Sequence, residues 1–188
     1  LVSSQIKRSL AMLDLERGTL SPISDPTWQA VGVPIWSPGT QSILCAATSG
    51  AGYKIVSVPL TGGGPPQVLW GESGFEYTPS SLTPDGRTLL FSQWYNRDKI
   101  GDLMTLALGK DQRPVALMTT PENEIQPRLS PTGHVVAYLE LKLNTPLANR
   151  GTLKVATYPV PVSPLAVTPS IVTSDYGWLG DNELAWID

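Results

Sequence analysis

Cysteine and histidine each occur only once in this 188-residue chain. Cys45 therefore has no partner for an internal disulfide, and no CxxC knuckle can form. One histidine and one cysteine are also too few for a zinc centre. Charged residues make up 15% of the chain, the formal net charge is −3, and no run of lysines or arginines occurs, so nothing offers a polyanion an electrostatic footprint. Nucleic acid is excluded as a partner on that ground. No apolar stretch nears the roughly 18 residues of a membrane span, and the start lacks the charged and apolar segments of a secretion signal. Direct membrane insertion by this segment is not expected. The first residue is not methionine and Trp186-Ile187-Asp188 reads as strand, so the sequence is expected to be a piece of a longer chain.

What the chain has in abundance is punctuation. Eighteen prolines and 17 glycines break a chain of 41% hydrophobic content into many short elements, which points to an all-β class with a real core. The segment Leu82-Thr83-Pro84-Asp85-Gly86-Arg87-Thr88-Leu89-Leu90-Phe91 recurs in looser copies. These begin at Trp36-Ser37-Pro38-Gly39, at Leu129-Ser130-Pro131-Thr132-Gly133 and, degenerate, at Trp178-Leu179-Gly180-Asp181. Their third residues stand 46, 47 and 49 positions apart. A fixed period in the 40s is the mark of a repeat architecture.

Each unit reads as four short strands, a to d. In the second unit, strand a covers Pro79 to Leu82, the Pro84-Asp85-Gly86 turn follows, and strand b is Thr88 to Ser92. A polar loop then runs from Trp94 to Gly101, strand c covers Asp102 to Leu108, and an edge strand d covers Arg113 to Met118. The first unit has Tyr53 to Leu60 as c, a Gly62-Gly63-Gly64 turn and Gln67 to Trp70 as d. The third has Val135 to Glu140 as b, a long loop to Arg150, and Thr152 to Tyr158 as c. Four-stranded units in tandem are blades that bury their faces on one another around an axis. The expected boundaries are blades at about 30–71, 76–119 and 124–173, with half-blades at 7–25 (c and d) and 174–188 (a and b). The half-blades could pair to close a ring of four. The preferred expectation is an arc, about four blades long, of a six- to eight-bladed β-propeller.

Pro34-Ile35-Trp36-Ser37-Pro38 and Pro84-Asp85-Gly86 resemble the WD40-like (PD40) repeat of the TolB family, whose signature runs Pro-x-Trp-Ser-Pro-Asp-Gly into an apolar strand. Thr132 and the Leu179-Gly180-Asp181-Asn182 run depart from it. The stretch Thr119-Thr120-Pro121-Glu122-Asn123-Glu124 leading to Ser130-Pro131-Thr132-Gly133 and Val136-Ala137-Tyr138 is similar to the TolB-like propeller that follows bacterial eukaryotic-type serine/threonine kinases. The same propeller type accompanies winged-helix regulators and prolyl-oligopeptidase-like peptidases. The resemblance implies an innermost strand a in every blade.

No catalytic residue, metal site or cofactor is expected. His134 follows a turn glycine, and no Gly-x-Ser-x-Gly elbow occurs for it to serve. Asn96, Asp98 and Asp102 lack the spacing of a calcium loop. The Gly62-Gly63-Gly64-Pro65-Pro66 run lacks the Gly-Lys-Ser/Thr of a phosphate cradle. Cys45 lies in an apolar run and reads as a packed side chain. One constellation remains. Glu76 and Glu124 each precede a proline, Pro79 or Pro127, by three residues, and Asp175 precedes Trp178 by three, so the acids are expected at one level of strand a. With strand a innermost, they would converge on the channel mouth, although each acid could instead cap its own loop. Trp94, Tyr95 and Arg97 are expected on a loop at the same face, with packing of Trp94 over a neighbouring blade as the competing role.

The expected function is a non-catalytic binding or sensing module that recognises a peptide, protein or small ligand at its channel face. By the resemblance it would belong to a larger signalling protein such as a bacterial serine/threonine kinase, on the periplasmic or extracellular side, with a cytoplasmic setting open. The alternatives are the substrate-gating propeller of a prolyl-oligopeptidase-like serine peptidase and a TolB-like periplasmic docking propeller.

Overall fold

The computed structural model describes residues 10–23, 28–48, 50, 52–60, 64–95, 101–109, 112–142, 151–162, 164–168 and 175–187. Among them there is no helix, and every sheet is antiparallel. A two-stranded sheet comes first, β1 (Ala11–Asp14) with β2 (Thr19–Pro22). The first four-stranded sheet is β3 (Gln29–Trp36), β4 (Ser42–Thr48), β5 (Tyr53–Pro59) and β6 (Gln67–Trp70), paired in chain order. The second is β7 (Phe75–Leu82), β8 (Thr88–Tyr95), β9 (Gly101–Ala107) and β10 (Val115–Met118). The third is β11 (Asn123–Leu129), β12 (Val135–Leu141), β13 (Gly151–Thr157) and the two-residue β14 (Leu165–Ala166). A second two-stranded sheet, β15 (Asp175–Gly180) with β16 (Glu183–Ile187), follows. This is an arc of a β-propeller. Among the described residues the two short sheets remain separate and do not pair into a fourth blade.

The core explains why the second strand of each blade is so apolar. Side chains alternate across a strand, so successive residues face opposite neighbours. Leu89 and Phe91 of β8 pack with Leu44 and Ile55 of the preceding blade, whereas Leu90 packs with Val136 and Tyr138 of the following one. Val136 and Tyr138 face back, while Ala137 and Leu139 join Tyr176 on the far side. Ile43, Cys45 and Ala47 face the first short sheet, packing with Leu10, Ile23 and Trp28. Both faces of a middle strand are therefore buried, and near-continuous apolar runs result. Cys45 is 1% exposed, and burial pushes its thiol up to about 11, which removes it from thiolate chemistry at neutral pH.

The signature turns tie each hairpin internally. Thr83 Oγ1 donates to Asp85 Oδ1 at 2.6 Å, Arg87 N donates to the same oxygen at 3.0 Å, and Thr88 N donates to Thr83 Oγ1 at 3.0 Å. These bonds, the Thr83 one foremost, hold the Asp85 carboxyl below the usual carboxylate range. Gly86 and Gly133 take φ of 69° and 75°, a left-handed conformation that glycine adopts without a Cβ penalty.

Three strand assignments differ from expectation. Trp94 and Tyr95 continue β8 rather than opening a loop, because β7 begins early enough, at Phe75, to pair with them. Arg113 and Pro114 precede β10, a placement consistent with proline's missing donor. The third edge strand shrinks to Leu165–Ala166. Gly62, Gly63, Asn96, Arg97, Asp98 and the 143–150 part of the long third loop lie outside the described residues.

Candidate ligand channel

The first strand of each blade and the first of the last short sheet, β3, β7, β11 and β15, wall one cavity of about 600 Å³. Trp36, Pro79, Ser81, Gln126, Arg128 and Trp178 are among its lining side chains, so all four inner strands contribute. Each of these strands carries a register shift at this level: between Val31 and Ile35, Pro79 and Ser81, Ile125 and Arg128, and Trp178 and Gly180. A bulge adds a residue to one strand, bends it and re-aims its side chains. In β11 the bulge places Gln126 at φ 55°, a left-handed conformation rare for a residue with a Cβ. Such a residue persists only where its surroundings over-determine it.

Those surroundings are on both sides. Gln126 N donates to Ser92 Oγ at 2.9 Å, and Leu129 N donates to Ser81 Oγ at 3.2 Å, both from the preceding blade. On the following side the Tyr176 hydroxyl donates to the Gln126 carbonyl and lies 3.0 Å from the Ala137 carbonyl. Trp178 Nε1 donates to the Arg128 carbonyl at 3.0 Å. Tyr176 is 3% exposed, and burial raises its phenol well above the ordinary tyrosine value, so it stays a neutral donor. The backbone of β11 is thus fixed by side chains from two other sheets.

Arg128 projects along this wall. Its guanidinium lies 5.0 Å from the centroid of the Tyr176 ring, donates through Nη1 to the Tyr176 carbonyl, and meets Asp175 Oδ1 through Nη2 at 2.6 Å. The cavity is therefore bordered by one neutralised ion pair, serine hydroxyls, prolines and two indoles. Gln126 Oε1 is buried and has no hydrogen-bond partner among the described residues. The arrangement offers shape, stacking surface and neutral polar groups. Among the described residues no group of three or more His, Cys, Asp or Glu side chains is placed to hold a metal ion.

Of the three acids expected at one level, Glu76 and Glu124 do not share a register. Glu76 pairs with Trp94, whereas Glu124 pairs with Glu140. Trp94 lies ten residues after Pro84 and Leu141 ten after Pro131. Since Leu141 pairs with Asn123, the counterpart of Glu76 is Asn123, and Glu124 corresponds to Tyr77. One residue of shift sends a side chain to the opposite face. Glu124 is accordingly fully buried at the junction of the second and third blades, bonded to the Thr120 hydroxyl and, at 3.4 Å, to Thr120 N. Burial pushes its carboxyl up against the lowering effect of Thr120, and the charges of Asp102 and Glu140 push the same way. Asp102 is itself buried and raised for that reason, while Glu140 holds Lys154 at 2.6 Å. Asp175 is exposed and paired with Arg128. Glu76 is half-buried on β7.

Trp94 packs against the cluster containing Ile125 and Tyr176, its ring close over Gly101, with Nε1 donating to Thr78 Oγ1 at 3.3 Å. It is a blade-to-blade contact. Tyr95 is 43% exposed, with the Phe75 ring 4.9 Å away. Arg97 lies outside the described residues. The reading of the sequence missed Gln126, Arg128 and Trp178 as wall residues, and Tyr176 as the buried group that fixes the wall from behind. One signal was available: Arg128 stands three residues before Pro131, where the other copies have Ile35 and Ser81.

No family profile matches the chain, and no curated protein matches it. Solved structures do. The crystal structure of TolB from Acinetobacter baumannii superposes with a TM-score of 0.70 at 20% identity, over 89% of this chain and 39% of that one. A puromycin-hydrolyzing peptidase from Mycobacterium tuberculosis gives 0.62 at 17% identity, over 80% of this chain and 26% of that one. A putative TolB from Agrobacterium tumefaciens gives 0.51 at 15% identity, over 86% of this chain and 70% of that one. These likenesses show the β-propeller fold. The chain spans well under half of the first TolB and about a quarter of the peptidase.

Proposed function

We propose that this segment is a non-catalytic recognition module that takes a peptide or protein segment in the channel walled by β3, β7, β11 and β15. The observation that supports this most is the single cavity shared by all four inner strands, with bulges re-aiming side chains from each. A rigid frame of blades holds the wall, so binding would cost little ordering of the protein. Tyr95 and Asp175, exposed toward the ends of their strands, are proposed as contacts at the mouth, with Glu76 beside them; Arg97, outside the described residues, is proposed as a further contact. The TolB structures support a docking role on the periplasmic side of a bacterial envelope. The likeness of the Thr119–Tyr138 stretch supports attachment to a serine/threonine kinase. A second reading, a propeller that gates substrate entry to a hydrolase domain, is supported by the peptidase superposition.

Random dodecapeptides displayed on phage and selected on the 188-residue module test the channel. Peptides that bind wild type are expected to weaken about tenfold or more with Ser80→Trp, which plugs the wall, and with Trp178→Ala. Selected peptides indifferent to both substitutions would remove the channel as the recognition site.

A further inference from the structure

A second cavity, of about 730 Å³, opens at the junction of the first and second blades, beside the signature turns. Its floor is Leu44, Trp70 and Leu108, and its rim includes Ser57, Gln67 and Gly109. The internal repeat supplies its own comparison. Leu108 N donates to the Arg87 carbonyl at 2.7 Å, and Tyr158 N makes the matching bond to the His134 carbonyl at 2.9 Å, so Leu108 and Tyr158 are counterparts. Tyr158 packs against the same buried cluster as Leu117 and Met118, which hold on β10 the positions that Leu69 and Trp70 hold on β6. The second junction thus fills with an aromatic ring the place that Leu108 and the side-chain-free Gly109 leave open at the first.

The lining chemistry narrows the occupant. Among the described residues it carries no ionisable side chain, so a charged ligand would lose its hydration without gaining a counter-charge. Serine hydroxyls and the Gln67 carboxamide each donate and accept, which matches a ligand whose own polar groups do both. The half-buried Trp70 and the two leucines suit a face of C–H groups. We propose that this groove binds a neutral pyranoside, as a free oligosaccharide or as a glycan attached to a larger molecule.

Titration of the 15N-labelled module with maltose, cellobiose and chitobiose tests the site, with the Trp70 indole N–H resonance as readout. At least one disaccharide is expected to shift that resonance with a millimolar Kd. Leu108→Tyr, which the third blade shows to be an acceptable side chain at this position, is expected to weaken binding about tenfold, and Gln67→Ala about fivefold, with the folded spectrum retained. Methyl glycosides of the same sugars, blocked at the reducing end like an attached glycan, separate the two sources: equal binding marks an attached glycan as admissible, and loss marks a free end as required. No shift with any of the three sugars up to about 50 mM overturns the proposal. A shift that survives Leu108→Tyr overturns it as well, and if that variant does not fold, unchanged affinity in Gln67→Ala does so alone.

Discussion

Gly133, in the turn of the third blade, rests directly on Pro84 in the turn of the second: a Cβ on Gly133 would stand 2.8 Å from Pro84 Cδ. Gly86 bears the looser equivalent, with the Pro38 carbonyl oxygen 3.4 Å from its would-be Cβ. The proline and glycine of the repeat signature therefore contact each other between blades as well as shaping a turn within one.

Gly133→Ala is expected to destabilise more than Gly39→Ala. Both glycines have positive φ, 75° and 69°, so both variants bear the left-handed strain of about 1–2 kcal/mol. Only Gly133 meets a neighbour, since nothing lies within 4 Å of a Cβ on Gly39. Overpacking adds about 1–3 kcal/mol. Urea midpoints for the two variants check the difference, and equal midpoints would refute the blade-to-blade contact.

Glu124→Gln is expected to stabilise the protein at neutral pH and to flatten its pH dependence. Burial raises the folded carboxyl above its unfolded value, so the native state binds more protons between those two values and stability falls as pH rises through that window. The full penalty is present above the raised value and absent below the ordinary carboxylate range. Glutamine keeps an acceptor for Thr120 without the charge. Unfolding free energies from about pH 4 to 7 test this, and a wild type that gains no stability relative to Glu124→Gln on acidification would contradict it.

Tyr176→Phe is expected to cost about 1–3 kcal/mol, because it removes the hydroxyl that serves the buried carbonyls of Gln126 and Ala137. Arg128→Gln should cost less than about 1 kcal/mol, since the Arg128–Asp175 pair is partly solvated, with side chains 37% and 60% exposed. Thermal unfolding ranks the two. A larger loss for Arg128→Gln would place the main tie of β11 to β15 in the ion pair instead of the phenol.

Much of the blade plan was legible because a middle strand buried on both faces writes a nearly unbroken apolar run, as in Ile43 to Ala47 and Thr88 to Ser92, and because Ser/Thr-Pro turns punctuate it at constant intervals. The bulges were not legible. A bulge has no residue type of its own, and Pro79 and Pro127 are not counterparts: counting from Pro84 and Pro131 sets Pro79 against Gln126, so measuring from the two strand prolines put Glu76 and Glu124 in step although they stand one position apart. Nothing in the sequence singled out Gln126, and Trp94 read as the start of a loop because the early start of β7 at Phe75, which pairs with Tyr95, leaves no local mark. Tyr176 and Arg128 gain their roles from one another across strands 48 residues apart, a pairing that no local pattern announces.

The seat of Gly133 on Pro84, and of Gly86 on Pro38, has a direction: each later hairpin leans on the one before it. A chain leaving the ribosome presents the earlier hairpin first. The second and third hairpins therefore emerge after the proline on which each is seated has already been made.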